Sequence, residues 1–327
     1  MRHPSAIAAL LASAVIGGLG LTPGTAHAQA GPPAARAAWI TSCHDKKDDI
    51  DYPCGHWKLI TQDGGQVVVR DAAGTKSGSK DETAPFAISA DGRVMAYQRA
   101  RDHRLVVQRV AGGPAKPLPK SAVVKGAGSL FVTLSPTGDK VMIDYGDEPL
   151  RSPIKVITVA TGKTTTLPLG DSALGFSGDG DEVLTSRNLS DNTTRLAAYR
   201  LGGGSIKRTP PQVIWGAYAY ALAPDGRTLA AFISGDTDKN KPPRVRTYNL
   251  ETGELSAGAD LPLEPDAETE AAWWSPDGRL HVTVRRGDDG KAAVVRVLTV
   301  DPESGKATQT DKYTISKTRY ESVEAGE

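Results

Sequence analysis

The sequence predicts an all-β protein, a β-propeller of six four-stranded blades closed by pairing of its N- and C-terminal segments. Three observations predict it. One short turn is spelled five times at a near-constant period. An apolar strand ending in small residues follows each turn at a similar distance. Beyond the N-terminal segment, no window shows a sustained 3.6-residue apolar period with caps, so long helices are not expected.

In chain order, residues 1–30 read as a signal peptide and stand outside fold reasoning. Arg2 and His3 form a basic start, and Ala6 to Leu21 is an apolar run of sixteen residues. Ala26-His27-Ala28 and Ala28-Gln29-Ala30 are the small-x-small patterns that signal peptidase reads. The run is shorter than the roughly 20 residues of a spanning helix, so cleavage near Gln29 or Gly31 is expected over a retained anchor. No cysteine follows the run before Cys43, which speaks against a lipoprotein anchor. The mature chain is therefore expected outside the cytoplasm, secreted or in the cell envelope, with no further membrane span.

Residues 31–56 are expected to form an N-terminal segment carrying the loop "CHDKKDDIDYPC", with Cys43 and Cys54 eleven apart. In an exported chain an even cysteine count favours a disulfide. A metal site is the rival, because His44 and His56 flank the pair and Asp45, Asp48, Asp49 and Asp51 lie between. Zinc sites space their cysteines two to four apart, and the acidic run lacks the ligand alternation and turn glycine of a calcium loop.

Residues 57–327 are assigned to the propeller. The turns are "AISADGRVMAY" at 87, "LSPTGDKVMI" at 134, "FSGDGDEVL" at 176, "LAPDGRTLAAF" at 222 and "WWSPDGRL" at 273. Their glycines, Gly92, Gly138, Gly180, Gly226 and Gly278, are 46, 42, 46 and 52 residues apart. A period of about 40–50 residues is that of propeller blades. Asp-Gly between short apolar stretches is a hairpin signal, because Gly adopts positive φ freely. The second landmark is "VVQRVAGG" at 106, "KVITVATGK" at 155, "LAAYRLGGG" at 196, "RTYNLETGE" at 246 and "RVLTVDPESGK" at 296. A sixth copy, "QVVVRDAAGTK" at 66, precedes the first turn. Five first-hairpin turns and six third-strand endings imply six blades, the first lacking its innermost strand in sequence. That strand is supplied either by "AAWITS" at 37 or by "YESVE" at 320.

"SPDGR" at 275–279 and "APDGR" at 223–227, each followed by an apolar strand and later by a strand ending in "TGE" or "TGK", resemble the blades of TolB-like and WD-repeat propellers. The TolB-like repeat is the better match, since no Trp-Asp closing pair is present and none of the repeated turns has a Gly-His opening. The resemblance spans residues 57 to about 306 and is one of repeat unit. It implies a propeller and says little of function.

Composition and motifs narrow the function. With 39 basic against 38 acidic side chains and a net charge of +1, the chain has no electrostatic footprint for nucleic acid. There is no G-x-S-x-G nucleophile elbow. Past the signal peptide only His44, His56, His103 and His281 are present, at non-equivalent repeat positions. His103 and His281 meeting in space is the one acid–base pair left open. The recurring acids Asp91, Asp179, Asp225 and Asp277 read as turn caps, one per blade. No cofactor or metal is implied.

Aromatic residues carry the remaining signal. Trp215, Tyr218 and Tyr220 lead into the fourth turn, and Trp273 and Trp274 into the fifth. Blade-to-blade packing explains such residues, and so does an interaction face, where Trp and Tyr are enriched. Trp215, Tyr218 and Trp273 are taken as a partner face near one mouth of the channel. The expected function is an exported, non-catalytic binding module for a protein or cell-envelope ligand. The alternative is a propeller enzyme, a lyase or hydrolase with a small polar site at the channel mouth.

Overall fold

The structure is a computed structural model that describes residues 33–123, 130–146, 151–287 and 290–327. The expected signal peptide lies outside the described residues. The chain builds six four-stranded antiparallel sheets, a six-bladed propeller.

Blade 1 contains β1 (Ala35–Asp45), β2 (Ile50–Thr61) and β3 (Gln66–Val69). Blade 2 is β4 (Phe86–Ile88), β5 (Val94–Gln98), β6 (Leu105–Arg109) and β7 (Lys116–Pro117). Blade 3 is β8 (Phe131–Leu134), β9 (Lys140–Asp144), β10 (Lys155–Thr158) and β11 (Thr164–Thr166). Blade 4 is β12 (Ser172–Phe176), β13 (Glu182–Asn188), β14 (Thr194–Arg200) and β15 (Ser205–Arg208). After a single turn of helix, α1 (Gln212–Trp215), come β16 (Ala219–Leu222), β17 (Thr228–Ile233), β18 (Arg244–Asn249) and β19 (Ala259–Asp260) of blade 5. Blade 6 is β20 (Glu268–Trp274), β21 (Leu280–Arg286), β22 (Ala293–Val300) and β23 (Ala307–Ile315). The last strand, β24 (Arg319–Glu324), crosses into blade 1 and pairs antiparallel with β1, Ala37 opposite Glu324 and Trp39 opposite Ser322.

Both terminal segments named from the sequence therefore serve blade 1. "YESVE" is the innermost strand and "AAWITS" lies beside it, giving the order β24-β1-β2-β3. One landmark is corrected. "QVVVR" at 66 is the fourth strand of blade 1, and the third is β2, which turns back at Thr61–Gly65. Val67 and Val68 are 48% and 45% exposed on this outer edge, so an apolar triplet that looks like a central strand is a peripheral one. The cysteine loop, expected ahead of the propeller, is the β1–β2 hairpin of that same blade.

All five turns, four with Asp-Gly and one with Thr137-Gly138, join the first and second strands of a blade. They are not two-residue hairpins. The N–H of Gly92 donates to Ser89 O at 2.7 Å, and Gly138, Gly180, Gly226 and Gly278 repeat this bond at 2.8 to 3.0 Å. Each glycine is the last of the turn's four residues, at φ between 66° and 79°, where a Cβ is disfavoured. The preceding serine completes the device: Ser89, Ser135 and Ser177 hydroxyls donate to Asp91, Asp139 and Asp179 at 2.6 Å. Ser275 donates likewise to Asp277. The turns also stitch neighbouring blades. Ala35 N donates to Gly92 O at 2.7 Å and Gly178 N to Leu222 O at 3.0 Å.

Both faces of each blade are covered by its neighbours, so the strands are apolar on both sides. Six buried clusters form, one in each seam between blades. In the seam of blades 1 and 2, Trp57 stacks on Phe86 at 4.8 Å and Phe86 on Tyr97 at 5.9 Å. Trp57 Nε1 donates to Ala73 O at 3.1 Å, which satisfies its one polar atom.

Candidate functional site

Innermost strands run side by side around the channel, as the parallel bridge from Ser177 to Leu222 records. They begin at one face, called the top here, and end in the repeated turns at the bottom. This polarity sorts the aromatic residues. Trp215 closes α1 and Tyr218 precedes β16, so both stand at the top, 43% and 75% exposed. Trp273 is the last residue but one of β20, at the bottom. It is half-buried, its ring stacked on His281 at 5.4 Å and packed against Gly326. The structure thus brings Trp215 and Tyr218 together and leaves Trp273 at the other end of the channel. Trp274 packs between blades, its Nε1 donating to Ala221 O at 3.2 Å. Tyr220 braces the top: its hydroxyl donates to the carbonyls of Ile214 and Trp215, both at 2.8 Å, and holds the end of α1.

Residues that the sequence did not single out complete the top face. Phe131 begins β8 and is 57% exposed, and Leu169, three residues before β12, is 51% exposed. Val213 of α1 and Ile50 at the tip of the β1–β2 hairpin are exposed as well. That hairpin runs past the start of β24, which pairs with β1 only as far as Thr41, so Ser42 to Pro53 project beyond it. The Cys43–Cys54 disulfide, Cα atoms 5.8 Å apart, ties the projection together. His44 at its rim lies 3.0 Å from Asp51 and 3.5 Å from Asp49. Among the described residues no three His, Cys, Asp or Glu side chains are grouped to hold a metal ion.

Two cavities meet at this face. The channel encloses about 380 Å³ between the innermost strands. Four aromatic side chains line it, Phe131, Phe176, Tyr220 and Trp273, and its charged lining residues among those described are acidic, Asp144 and Glu327. Asp144 is buried, and its carboxylate accepts Tyr145 N at 2.7 Å and Ala173 N at 2.9 Å, bridging blades 3 and 4. Beside the channel a groove of about 1230 Å³ runs over blades 2 and 3 and β24. Phe131, Thr133 and Glu327 line both spaces and form the junction. His103, at φ 53°, lines this top groove, whereas His281 sits by the bottom turn of blade 6. The structure does not bring the two histidines together.

His281 has its own polar company. Its Nε2 lies 3.3 Å from Ser275 Oγ and its Nδ1 3.3 Å from Thr299 Oγ1. Burial, with Arg279 nearby, lowers its pKa, so the ring is neutral at neutral pH. A hydroxyl beside a neutral imidazole is the arrangement of an activated nucleophile. Ser275, however, gives its proton to Asp277, as Ser89 and Ser177 give theirs to Asp91 and Asp179 in turns without a histidine. The serine belongs to the turn.

No family model matches the chain, and no curated protein matches it. Solved structures do. TolB from Acinetobacter baumannii is 16% identical with a TM-score of 0.49, over 89% of this chain and 66% of that one. The chain thus spans just under two thirds of that protein's length. A putative TolB from Agrobacterium tumefaciens is 13% identical with a TM-score of 0.47, over 86% and 90%. The β-propeller domain of the Trilobed protease from Pyrococcus furiosus is also 13% identical at 0.47, over 86% and 83%. The likeness is one of fold. Function has to be argued from the chain's own residues.

Proposed function

We propose that this chain is an exported binding module, without catalysis of its own, that docks a protein of the cell envelope on its top face. One observation carries the proposal. Eight large apolar side chains are exposed among the described residues, and six of them surround one mouth: Ile50, Phe131, Leu169, Val213, Trp215 and Tyr218. Ile50, Phe131 and Leu169 are far apart in sequence from one another and from the Val213–Tyr218 stretch, and all share one face because the innermost strands begin there and the β1–β2 hairpin points the same way. Exposed apolar side chains gathered on one face favour an interaction role, and Trp and Tyr are enriched among binding hot spots. A disulfide in the hairpin beside the mouth supports a location outside the cytoplasm.

The test is capture of envelope proteins from the organism of origin by residues 31–327, after mild crosslinking. A Phe131→Ser, Tyr218→Ser double variant should lose the captured partner while melting like the wild type, because both side chains face water. Trp273→Ala should keep the partner and lose stability, because its ring is packed. Capture that survives the top-face variant and disappears with Trp273→Ala would transfer the site to the bottom face.

A further inference from the structure

The ring closes on a buried carboxyl that has no partner. Glu324 is the last residue of β24 and lies opposite Ala37 of β1, in the seam between blades 1 and 6. It is 2% exposed, and neither carboxylate oxygen accepts a hydrogen bond. Groups face it from every side. From β20 comes Glu270, from β21 Arg285, and from β23 the Tyr313 hydroxyl. The Thr283 hydroxyl of β21 is held by the backbone of Ala271, at 3.0 Å from its N–H and 3.4 Å from its carbonyl. Glu327 folds back so that its Oε2 accepts the N–H of Glu324 at 2.9 Å. Arg36 of β1 is committed to Asp311 of β23 at 2.8 Å. Arg285 is the cation whose charge favours the ionised forms of both Glu324 and Glu327.

An ionised Glu324 in this seam is a desolvated charge with two like charges within reach, offset only by Arg285 and by a Thr283 hydroxyl already engaged with Ala271, which is unfavourable. A proton removes the conflict. A metal ion would need three ligands grouped around it, and the described residues contain no such group.

We propose that closure of the propeller is proton-linked: β24 is locked between β1 and blade 6 while Glu324 carries its proton, and is loosened when that proton passes to solvent. Burial first, then the charges of Glu327 and Glu270, push Glu324 up to about 7 from an ordinary 4.5. Burial likewise raises Glu327. A detached strand ionises near the ordinary value, so the proton's contribution to closure is complete below about 4.5. It is lost as pH rises through about 7. Loosening β24 bares the edge of β1 from Ala37 to Thr41, a row of unpaired backbone groups next to the channel wall. The switch thus acts on the one strand whose loss opens the ring.

Native-state hydrogen exchange on the full chain at pH 5 and pH 8, each corrected for intrinsic rates, tests this. Amides of β24, and those of Ala37 to Thr41 that pair with it, should lose protection on the order of tenfold or more between the two. Amides of β16 and β17 should keep theirs. Glu324→Gln, neutral and of the same shape, should remove most of the loss, leaving the smaller part that belongs to Glu327. Should that variant fail to fold, Glu270→Gln removes one neighbouring charge and should shrink the loss and move it to lower pH. Equal protection of wild-type β24 at both pH values would overturn the proposal, as would full pH dependence in Glu324→Gln or an unmoved profile in Glu270→Gln.

Discussion

At the scale of single residues, the five turn glycines share a φ and a hydrogen bond but not a neighbourhood. A Cβ on Gly278 would meet nothing within 4 Å, whereas one on Gly92 would lie 2.3 Å from the carbonyl oxygen of Ala35. That contact sits on the stitch between blades 1 and 2, where Ala35 N donates to Gly92 O. Gly278→Ala should therefore cost only the strain of a positive φ, about 1 kcal/mol. Gly92→Ala must also move backbone, and should cost at least about 2 kcal/mol more. Urea denaturation of the two variants checks this, and equal losses would mean that the stitch carries no weight. The sequence made the positive φ legible, because Ser-x-Asp-Gly recurs and Gly is the residue that tolerates it. It did not distinguish Gly92 from Gly278, since the difference lies in Ala35, more than fifty positions upstream.

At the scale of elements, the β1–β2 hairpin is the exception among the blades. Its strands are 11 and 12 residues long, and its outer half projects with β24 no longer alongside. A projecting hairpin keeps little tertiary packing, and a two-stranded ribbon is marginal on its own in water. The Cys43–Cys54 bridge supplies what packing does not, and closing so short a loop should stabilise by about 2–3 kcal/mol in the chain-entropy model. Urea denaturation of the oxidised and reduced protein should differ by about that amount. Identical midpoints would show that the projection frays before the ring unfolds. The pairing was legible from the spacing and from the expected compartment. The strand assignment beside it was not: "VVV" at 67–69 has the composition of a central strand, and only the turn Gln62-Asp63-Gly64-Gly65 before it marks β3 as the outer one.

At the scale of the whole molecule, the top face and the closing seam both arise from rotation about the channel, which no local pattern encodes. Phe131, Leu169 and Trp215 look unrelated in sequence, and Glu324 reads as a surface residue of an alternating strand. The ring turns the first three outward around one mouth and buries the fourth. Two titrating groups then pull global stability in opposite directions. His281 has a lowered pKa, so the unfolded chain binds its proton more readily, and stability falls as pH drops through 6.5. Glu324 has a raised pKa, so its contribution falls as pH rises from about 4.5 through about 7. Their opposition flattens the wild-type profile across mildly acidic pH, and a flat curve alone would say nothing about the seam. The difference between wild type and Glu324→Gln removes every group the two share. Unfolding free energies of the pair, measured by urea denaturation from pH 5 to pH 8, should move in favour of the variant by about 2–3 kcal/mol. The change should be complete shortly above pH 7, where Glu324 is fully ionised in the folded ring. A constant difference across that range would mean that the seam holds an ionised Glu324 without cost, and that the ring closes independently of the proton.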